Sequence, residues 1–190
     1  NQYDMLGKAN YHSMWSDEDT NPEVWQDLFY DYDLNNGVVI TNAGNADWNL
    51  LSNAQWEYLL ARKYQSRALF GVGIVNGVNG IILLPDNWDF SAHTSFNCGF
   101  ADSYDNNNFS IDDWKKYETD GAAFLPASGK MSEEGTSTGS IGEYWTGTLQ
   151  ETGYNDYSYF IAFKNSDYSI YKVENGGAWA RAYRLVEFVK

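Results

Sequence analysis

In the stretch LSNAQWEYLLARK, from Leu51 to Lys63, the apolar residues Trp56, Leu59 and Leu60 fall on one face at helical spacing. The residues around them punctuate that helix. Ser52 is placed to cap it, Gln55 three positions on completes a capping box, and Leu51 and Trp56 form a hydrophobic staple across the cap. Arg62 and Lys63 fall in the expected last turn, where positive charge suits the helix dipole. The same grammar returns from Phe109 to Asp120: Ser110 caps, Asp113 takes the third position, Phe109 staples onto Trp114, and Gly121 stops the run. Each of these two stretches is predicted to be a helix with one face committed to a core.

The remaining apolar positions come in short runs. Ala68 to Val78 is apolar and spaced by glycines, and Ile81 to Leu84 is a continuous run stopped by Pro85 and Asp86, so a buried strand feeding a turn is expected. A strand after the second helix ends likewise at Leu125-Pro126, an echo of Leu84-Pro85 whose intervening lengths are too unequal for a repeat. Tyr144 to Thr148, Tyr157 to Phe163, Tyr168 to Val173 and Trp179 to Val189, with a turn at Asn175-Gly176-Gly177, predict a terminal antiparallel sheet. Polar segments are expected as loops: Asp31 to Asn49 as a surface excursion around the short run Val38 to Ile40, Phe90 to Asn108, and the flexible Gly129 to Ser140. Ahead of them, Tyr3, Met5 and Leu6 are read as a first edge strand, and Asn21-Pro22 opens a short helix through Trp25, Leu28 and Phe29.

Length and charge narrow the picture. At 190 residues the chain is expected to be one domain, spanning 1–190, able to bury about 70% of its unfolded surface without a covalent staple. A formal charge of −14 opposes binding to phosphate backbones and anionic membrane surfaces, so nucleic acid is not an expected partner. Cys98 is the single cysteine, which excludes an internal disulfide and a Cys-based zinc cluster but leaves the compartment open. No apolar run approaches the ~20 residues of a membrane span, and insertion by this segment is not expected. The start, NQYDML, has neither a basic n-region nor an initiator Met and reads as a mature or trimmed piece whose export or anchor segment lies outside it. Aromatics reach 17%, with eight Trp and fifteen Tyr. Such side chains bury an apolar body while keeping a polar tip wet, which suits either a small β-rich core or a recognition surface.

The run NLLSNAQWEYLLARK (Asn49 to Lys63) resembles a helix of the formylglycine-generating-enzyme (sulfatase-modifying) superfamily, whose fold is a variant of the C-type lectin fold. GIILLPDNW (Gly80 to Trp88), GAAFLPASG (Gly121 to Gly129), GEYWTGT (Gly142 to Thr148) and RAYRLV (Arg181 to Val186) follow in order and look like a non-catalytic branch of it. That branch is found in surface proteins of gut bacteria, with relatives among ligand-binding proteins diversified by retroelements. The resemblance spans nearly the whole chain. It implies an α+β, C-type-lectin-like fold, two helices packed on a twisted antiparallel sheet with long irregular loops. It also implies a surface-displayed or secreted, adhesin- or receptor-like domain that recognises a protein or glycan; a retroelement-diversified variable protein and a phage-tail origin fall within its range. Catalysis is not carried over, because the enzymatic members rely on a pair of active-site cysteines and this chain has Cys98 alone. The chain is not expected to be an enzyme.

The other chemistry-bearing residues read quietly. Cys98, in SFNCGF, is expected as a half-buried small hydrophobe rather than a nucleophile. His12 and His93 sit in apparent loops with no GxSxG motif nearby, and both read as surface histidines. A carboxylate pair in a sugar cleft would make a glycosidase, the enzyme alternative, but among 26 acidic side chains a pairing carries almost no information. Asp102, Asp105 and Asn107 in ADSYDNNN, and Asp17, Glu18 and Asp19 in SDEDT, offer the oxygen ligands that Ca²⁺ takes. Neither follows EF-hand spacing, so solvated acidic loops are expected, with calcium at Asp102, Asp105 and Asn107 as the alternative and no other cofactor. Gly71, Gly73, Gly77 and Gly80 precede a strand run rather than a helix and make no phosphate cradle.

Function is therefore expected in the terminal sheet, where the resemblance puts the varied, ligand-contacting positions between Tyr144 and Tyr183. The segment is rich in Tyr, Asn, Asp and Ser, which make adaptable contacts at low entropy cost. With Phe163 assigned to the core, Tyr157, Tyr159 and Ile161 become its same-face partners. The candidates for ligand contact are Tyr154, Asn155, Asp156, Tyr168, Tyr171, Asn175, Trp179 and Arg181, whereas Tyr144, Trp145 and Arg184 match family positions expected to be structural. The competing reading is a structural or interaction component of a surface or tail assembly, whose aromatic face packs on a neighbour.

Overall fold

The computed structural model of the chain describes residues 31–33, 37–40, 48–132, 135–136, 138–151, 156–174, 180–182 and 184–187. The segments expected at Tyr3 to Leu6 and Trp25 to Phe29, with His12, Asp17, Glu18 and Asp19, lie outside these residues.

Both capped helices form. In α1, Asn53–Ala61, the capping box is complete: Ser52 Oγ accepts from the Gln55 N–H at 3.3 Å, and Gln55 Oε1 accepts from the Ser52 N–H at 2.8 Å. In α2, Ile111–Thr119, Ser110 Oγ accepts from the Asp113 N–H at 3.1 Å, and the stapling rings of Phe109 and Trp114 meet at 6.5 Å. Each such cap contributes about 1 kcal/mol. Gly121 follows α2 with φ at +96°, a left-handed conformation that carries no Cβ penalty for glycine. α1 ends earlier than expected: Arg62 is its C-cap, bonding Leu84 O at 3.0 Å and Asp86 at 2.7 Å, and Lys63 already belongs to a strand.

Before α1 come β1 (Asp31–Asp33), β2 (Gly37–Ile40) and β3 (Trp48–Leu50). Between the helices lie β4 (Lys63–Tyr64), β5 (Arg67–Ala68), β6 (Phe70–Val75), β7 (Val78–Leu83) and β8 (Asn108–Phe109). After α2 follow β9 (Ala123–Pro126), β10 (Lys130–Ser132), β11 (Gly135–Thr136), β12 (Gly142–Glu151), β13 (Asp156–Phe163), β14 (Tyr168–Glu174), β15 (Ala180–Arg181) and β16 (Leu185–Glu187). They pair as a sheet β8-β6-β7-β9, antiparallel except between β6 and β8, an antiparallel sheet β12-β13-β14, a sheet β1-β2-β3-β16, and the smaller β11-β10-β15 and β4-β5. The class is α+β, with two helices and several sheets among the described residues.

The β6-β7-β9 sheet is buried on both faces. Val72, Ile81 and Leu125 face a first core shared with Trp56 and Leu60 of α1 and with Tyr144, Ile161 and Phe163 of β12 and β13. Val75, Ile82 and Phe124 face a second core shared with Trp114 and Tyr117 of α2 and with Trp88 and Phe96. Glycine sets how closely the second core approaches. A Cβ on Gly71 would lie 2.5 Å from Asn97 O, and one on Gly80 would collide with the Leu125 carbonyl and the Phe124 ring. The glycine spacing read from the sequence is therefore a packing requirement.

Several loop expectations give way. Of Asp31 to Asn49, expected as a loop, the described residues are strands: β1 pairs with β2, β2 with β3, and β3 with β16, Leu50 lying opposite Leu185. Its Asn, Asp and Gly content reads as loop, and the strand that completes the sheet comes from the far end of the chain. Trp179 to Val189 is not one strand, because β15 pairs with β10 while β16 joins β3. Gly129 to Ser140 holds the β10-β11 pairing rather than a wholly flexible loop. Phe90 to Asn108 turns inward, with Phe90, Phe96, Tyr104 and Asn107 buried and a 3-10 turn at Tyr104–Asn106.

Two predictions follow from the packing. Gly80→Ala is expected to cost about 2–3 kcal/mol in urea unfolding, since backbone and ring must both move. Burial pushes the Tyr104 phenol from 10.0 up to about 12, and its hydroxyl donates to Ser140 O at 3.0 Å. The unfolded chain therefore releases this proton first, so the contribution is intact below pH 10 and is lost as pH rises toward 12. Tyr104→Phe is expected to flatten the alkaline fall in stability by no more than about 2 kcal/mol. Denaturant melts at fixed pH read it, and an unchanged slope in the variant rejects it.

Candidate ligand-binding surface

The register of the terminal sheet decides which side chains share a face. β13 and β14 pair Phe163 with Tyr168, Ile161 with Ile170, and Tyr159 with Lys172 on one face; Ala162 with Ser169, Phe160 with Tyr171, and Ser158 with Val173 lie on the other. β12 sets Tyr144 beside Ile161 on the first face and Trp145 beside Phe160 on the second.

The first face has two ends. Near Phe163 it is core: Tyr144, Ile161 and Phe163 are buried, Tyr168 and Ile170 pack against them, and Tyr168 stacks on Phe100 at 6.1 Å. Past Ile161 it reaches the surface. Tyr157 and Tyr159 are half-buried, the Tyr159 hydroxyl donates to Gln150 Oε1 at 3.0 Å, and Lys172 Nζ lies 3.6 Å from the centre of the Tyr157 ring. Tyr157 and Tyr159 thus share a face with Phe163 but not its burial.

The second face displays Tyr171, 50% exposed and stacked on Phe160 at 5.2 Å and 22°. Phe160 is itself fixed, with the Arg181 guanidinium 3.6 Å from its ring centre and Trp145 edge-on at 6.0 Å. Arg181 donates through Nε to Glu143 Oε2 at 2.6 Å, and both residues are buried. Burial holds the guanidinium below its usual value while the hydrogen bond and charge of Glu143 oppose that shift, and the group remains a cation.

Among the predicted contact residues, Tyr154, Asn155, Asn175 and Trp179 lie outside the described residues, and only the backbone of Asp156 is described, opening β13. Tyr171 is exposed as expected. Tyr168 is not its neighbour in a common patch: three positions apart on a strand, the two point to opposite faces, and Tyr168 lies against the first core. Arg181 is not a surface contact, being 1% exposed and paired with Glu143. A cation beside a Gly-Gly turn reads as exposed, and the carboxylate that draws it inward stands 38 positions away. Phe160, Lys172 and Gln150 were missed for a similar reason, since cross-strand pairing is invisible in one strand. The opposite facing of Tyr168 and Tyr171 was legible from parity alone.

The other candidates resolve as follows. Asn107 is buried and braces the sheet: its Oδ1 accepts from the Asn97 N–H at 2.9 Å, and its amide donates to Val72 O at 2.7 Å and Asn97 O at 2.9 Å. Asp105 accepts from the Ser103 hydroxyl at 3.2 Å. His93 is not an ordinary surface histidine. Its ring stacks on Trp88 at 4.4 Å and meets Tyr117 at 4.4 Å, with Nε2 held 2.8 Å from Asp120 Oδ2. Cys98 is half-buried. Among the described residues no helix is long and apolar enough to cross a membrane, and no three His, Cys, Asp or Glu side chains are grouped to hold a metal. No family model matches the sequence, and no curated protein or solved structure matches it significantly.

The Arg181–Glu143 pair gives a stability prediction. Arg181→Met leaves Glu143 buried without its cation and is expected to cost about 3–5 kcal/mol, whereas adding Glu143→Gln restores part of that loss. A double-mutant cycle in urea measures the difference, and strictly additive losses would show the pair to be uncoupled.

Proposed function

We propose that this chain is a non-catalytic ligand-recognition domain, displayed on a surface or secreted, that meets a protein or glycan through the outer part of the β12-β13-β14 sheet. The observation that carries this reading is Tyr171, a half-exposed ring stacked on a Phe160 that the buried Arg181–Glu143 pair immobilises. An aromatic anchor already held in place loses little conformational freedom on binding. At the same end of the sheet, on its reverse face, Tyr157, Tyr159, Gln150 and Lys172 add hydroxyl, amide and ammonium groups. The five motifs support assigning the fold to the C-type-lectin-like, formylglycine-generating-enzyme-related kind, and the lone Cys98 supports the non-catalytic branch. A role as a diversified variable protein would rest on the same surface. The reading needs no metal.

A second reading, an interaction component of a surface or tail assembly, draws on β14. Its inner edge pairs with β13, and among the described residues no strand pairs with its outer edge. Such an edge offers main-chain donors and acceptors to a strand of a partner.

Tyr171→Ala is expected to change stability by no more than about 1 kcal/mol, because half of the ring is already in water. It should lower binding at least tenfold on a glycan array and on a panel of immobilised surface glycoproteins. Equal retention of the wild type and the variant would sink the aromatic-face reading; wild-type association that survives Tyr171→Ala but not a proline within β14 would favour the edge.

A further inference from the structure

An Asn-Gly pair flanked by aliphatic residues occurs twice in succession, as Val75-Asn76-Gly77-Val78 and as Val78-Asn79-Gly80-Ile81. In such a pair the main-chain nitrogen of glycine can reach the carbon of the preceding side-chain amide, because glycine puts no Cβ in the way and leaves the backbone free to turn. With matching neighbours, the two pairs differ in where the fold sets them.

The first pair is the turn between β6 and β7. Val75 pairs with Val78, and Asn76 and Gly77 between them take φ of +50° and +79°, as a two-residue hairpin with positive φ at both central positions requires. Both residues are exposed, and a Cβ on Gly77 would meet nothing within 4 Å. The Asn76 N–H is tied, donating to Phe109 O at 2.9 Å. Among the described residues neither the Asn76 side chain nor the peptide that joins Asn76 to Gly77 makes a hydrogen bond. The second pair lies inside β7, between β6 and β9. Gly80 is buried, opposite Gly73 on one side and Pro126 on the other. The peptide that joins Asn79 to Gly80 is pinned through Asn79 O, which accepts from the Ala127 N–H at 2.6 Å, and the Asn79 amide donates to Gly139 O at 2.6 Å. Asp120-Gly121, where the same ring closure would expel water, is held likewise: Asp120 Oδ2 lies 2.8 Å from His93 Nε2, and the Gly121 N–H donates to Glu118 O at 3.0 Å.

We propose that Asn76 is a site of spontaneous covalent modification, deamidating through a cyclic imide in the folded protein, and that the fold protects Asn79. The Gly77 nitrogen attacks Asn76 Cγ. A C–N bond forms, the Cγ–Nδ2 bond breaks, and Nδ2 leaves as ammonia with the proton that the Gly77 nitrogen gives up. Water is the second reactant, and nothing is oxidised or reduced. Added at Cγ, water yields aspartate; added at the main-chain carbonyl carbon, it yields isoaspartate, whose main chain runs through Cβ and Cγ and is one methylene longer. Either product adds a negative charge to a chain already at −14, and isoaspartate lengthens the turn whose two residues join β6 to β7.

The test uses the unaltered chain, incubated in warm, mildly alkaline buffer with and without guanidinium chloride. Samples are digested with pepsin at low pH, which halts the reaction, and tandem mass spectrometry assigns the amide-to-acid mass gain to position 76 or 79. Unfolded, the two sites should convert at similar rates, since their flanking residues match. Folded, Asn76 should convert at least about tenfold faster than Asn79, whose reaction waits on local opening of the sheet. Any smaller ratio in the folded chain overturns the proposal, as does protection of both sites.

Discussion

β6 and β7 carry Gly71, Gly73 and Gly80 on the face that meets α2, among Val75 and Ile82, and the close approach of that layer follows from those glycines. Phe96, Asn107 and Phe124 lie where a Cβ on Gly71, Gly73 or Gly80 would have to be. An amide so close to a sheet has to be satisfied, because a buried polar group without partners costs more than its bonds return. Asn107 meets this by bonding Val72 O and both the N–H and the carbonyl of Asn97. The irregular segment between β7 and β8 is thereby fixed against the strands without being regular itself.

The terminal sheet is tied to the rest through its innermost strand. The register of β12 shifts between Trp145 and Leu149, and the intervening residues turn toward the start of α1. Gly147 N–H donates to Leu51 O at 2.9 Å, Thr148 Oγ1 accepts from Asn53 N–H at 2.9 Å, and Thr146 Oγ1 donates to Asn53 Oδ1 at 2.8 Å. A strand irregularity thus supplies one of the partners that a helix N-terminus leaves wanting. On its other side β12 is bridged to Ala182, beside the Arg181–Glu143 pair. β13 and β14 follow β12 and are held as well by Ile161, Phe163, Tyr168 and Ile170 against the first core.

What the sequence made legible was what lies within a few residues. Ser52 with Gln55 and Ser110 with Asp113 are three positions apart, and both caps form as read. Ile81 and Ile82, on a short apolar run between turn signals, are buried to opposite sides. Legibility fails where the deciding partner is remote. β1 to β3 are polar enough to read as loop until β16 is laid beside them, and Arg181 reads as exposed until Glu143 is known to be buried next to it. In the candidate surface Tyr171 was recoverable, whereas Phe160 beneath it depends on the register between two strands. His93 was passed over because the rings that enclose it come from α2 and from the turn after β7.

The pleat of β14 divides its residues into those under constraint and those at liberty. Tyr168 and Ile170 are packed on the interior, while Ser169 and Tyr171 between and beyond them look outward. Alternate codons of a single short stretch are therefore open to change without touching the residues that hold the strand in place. A substitution at Ser169 or Tyr171 alters the outward surface alone, while Tyr168 and Ile170 on the reverse of the same strand keep their packing.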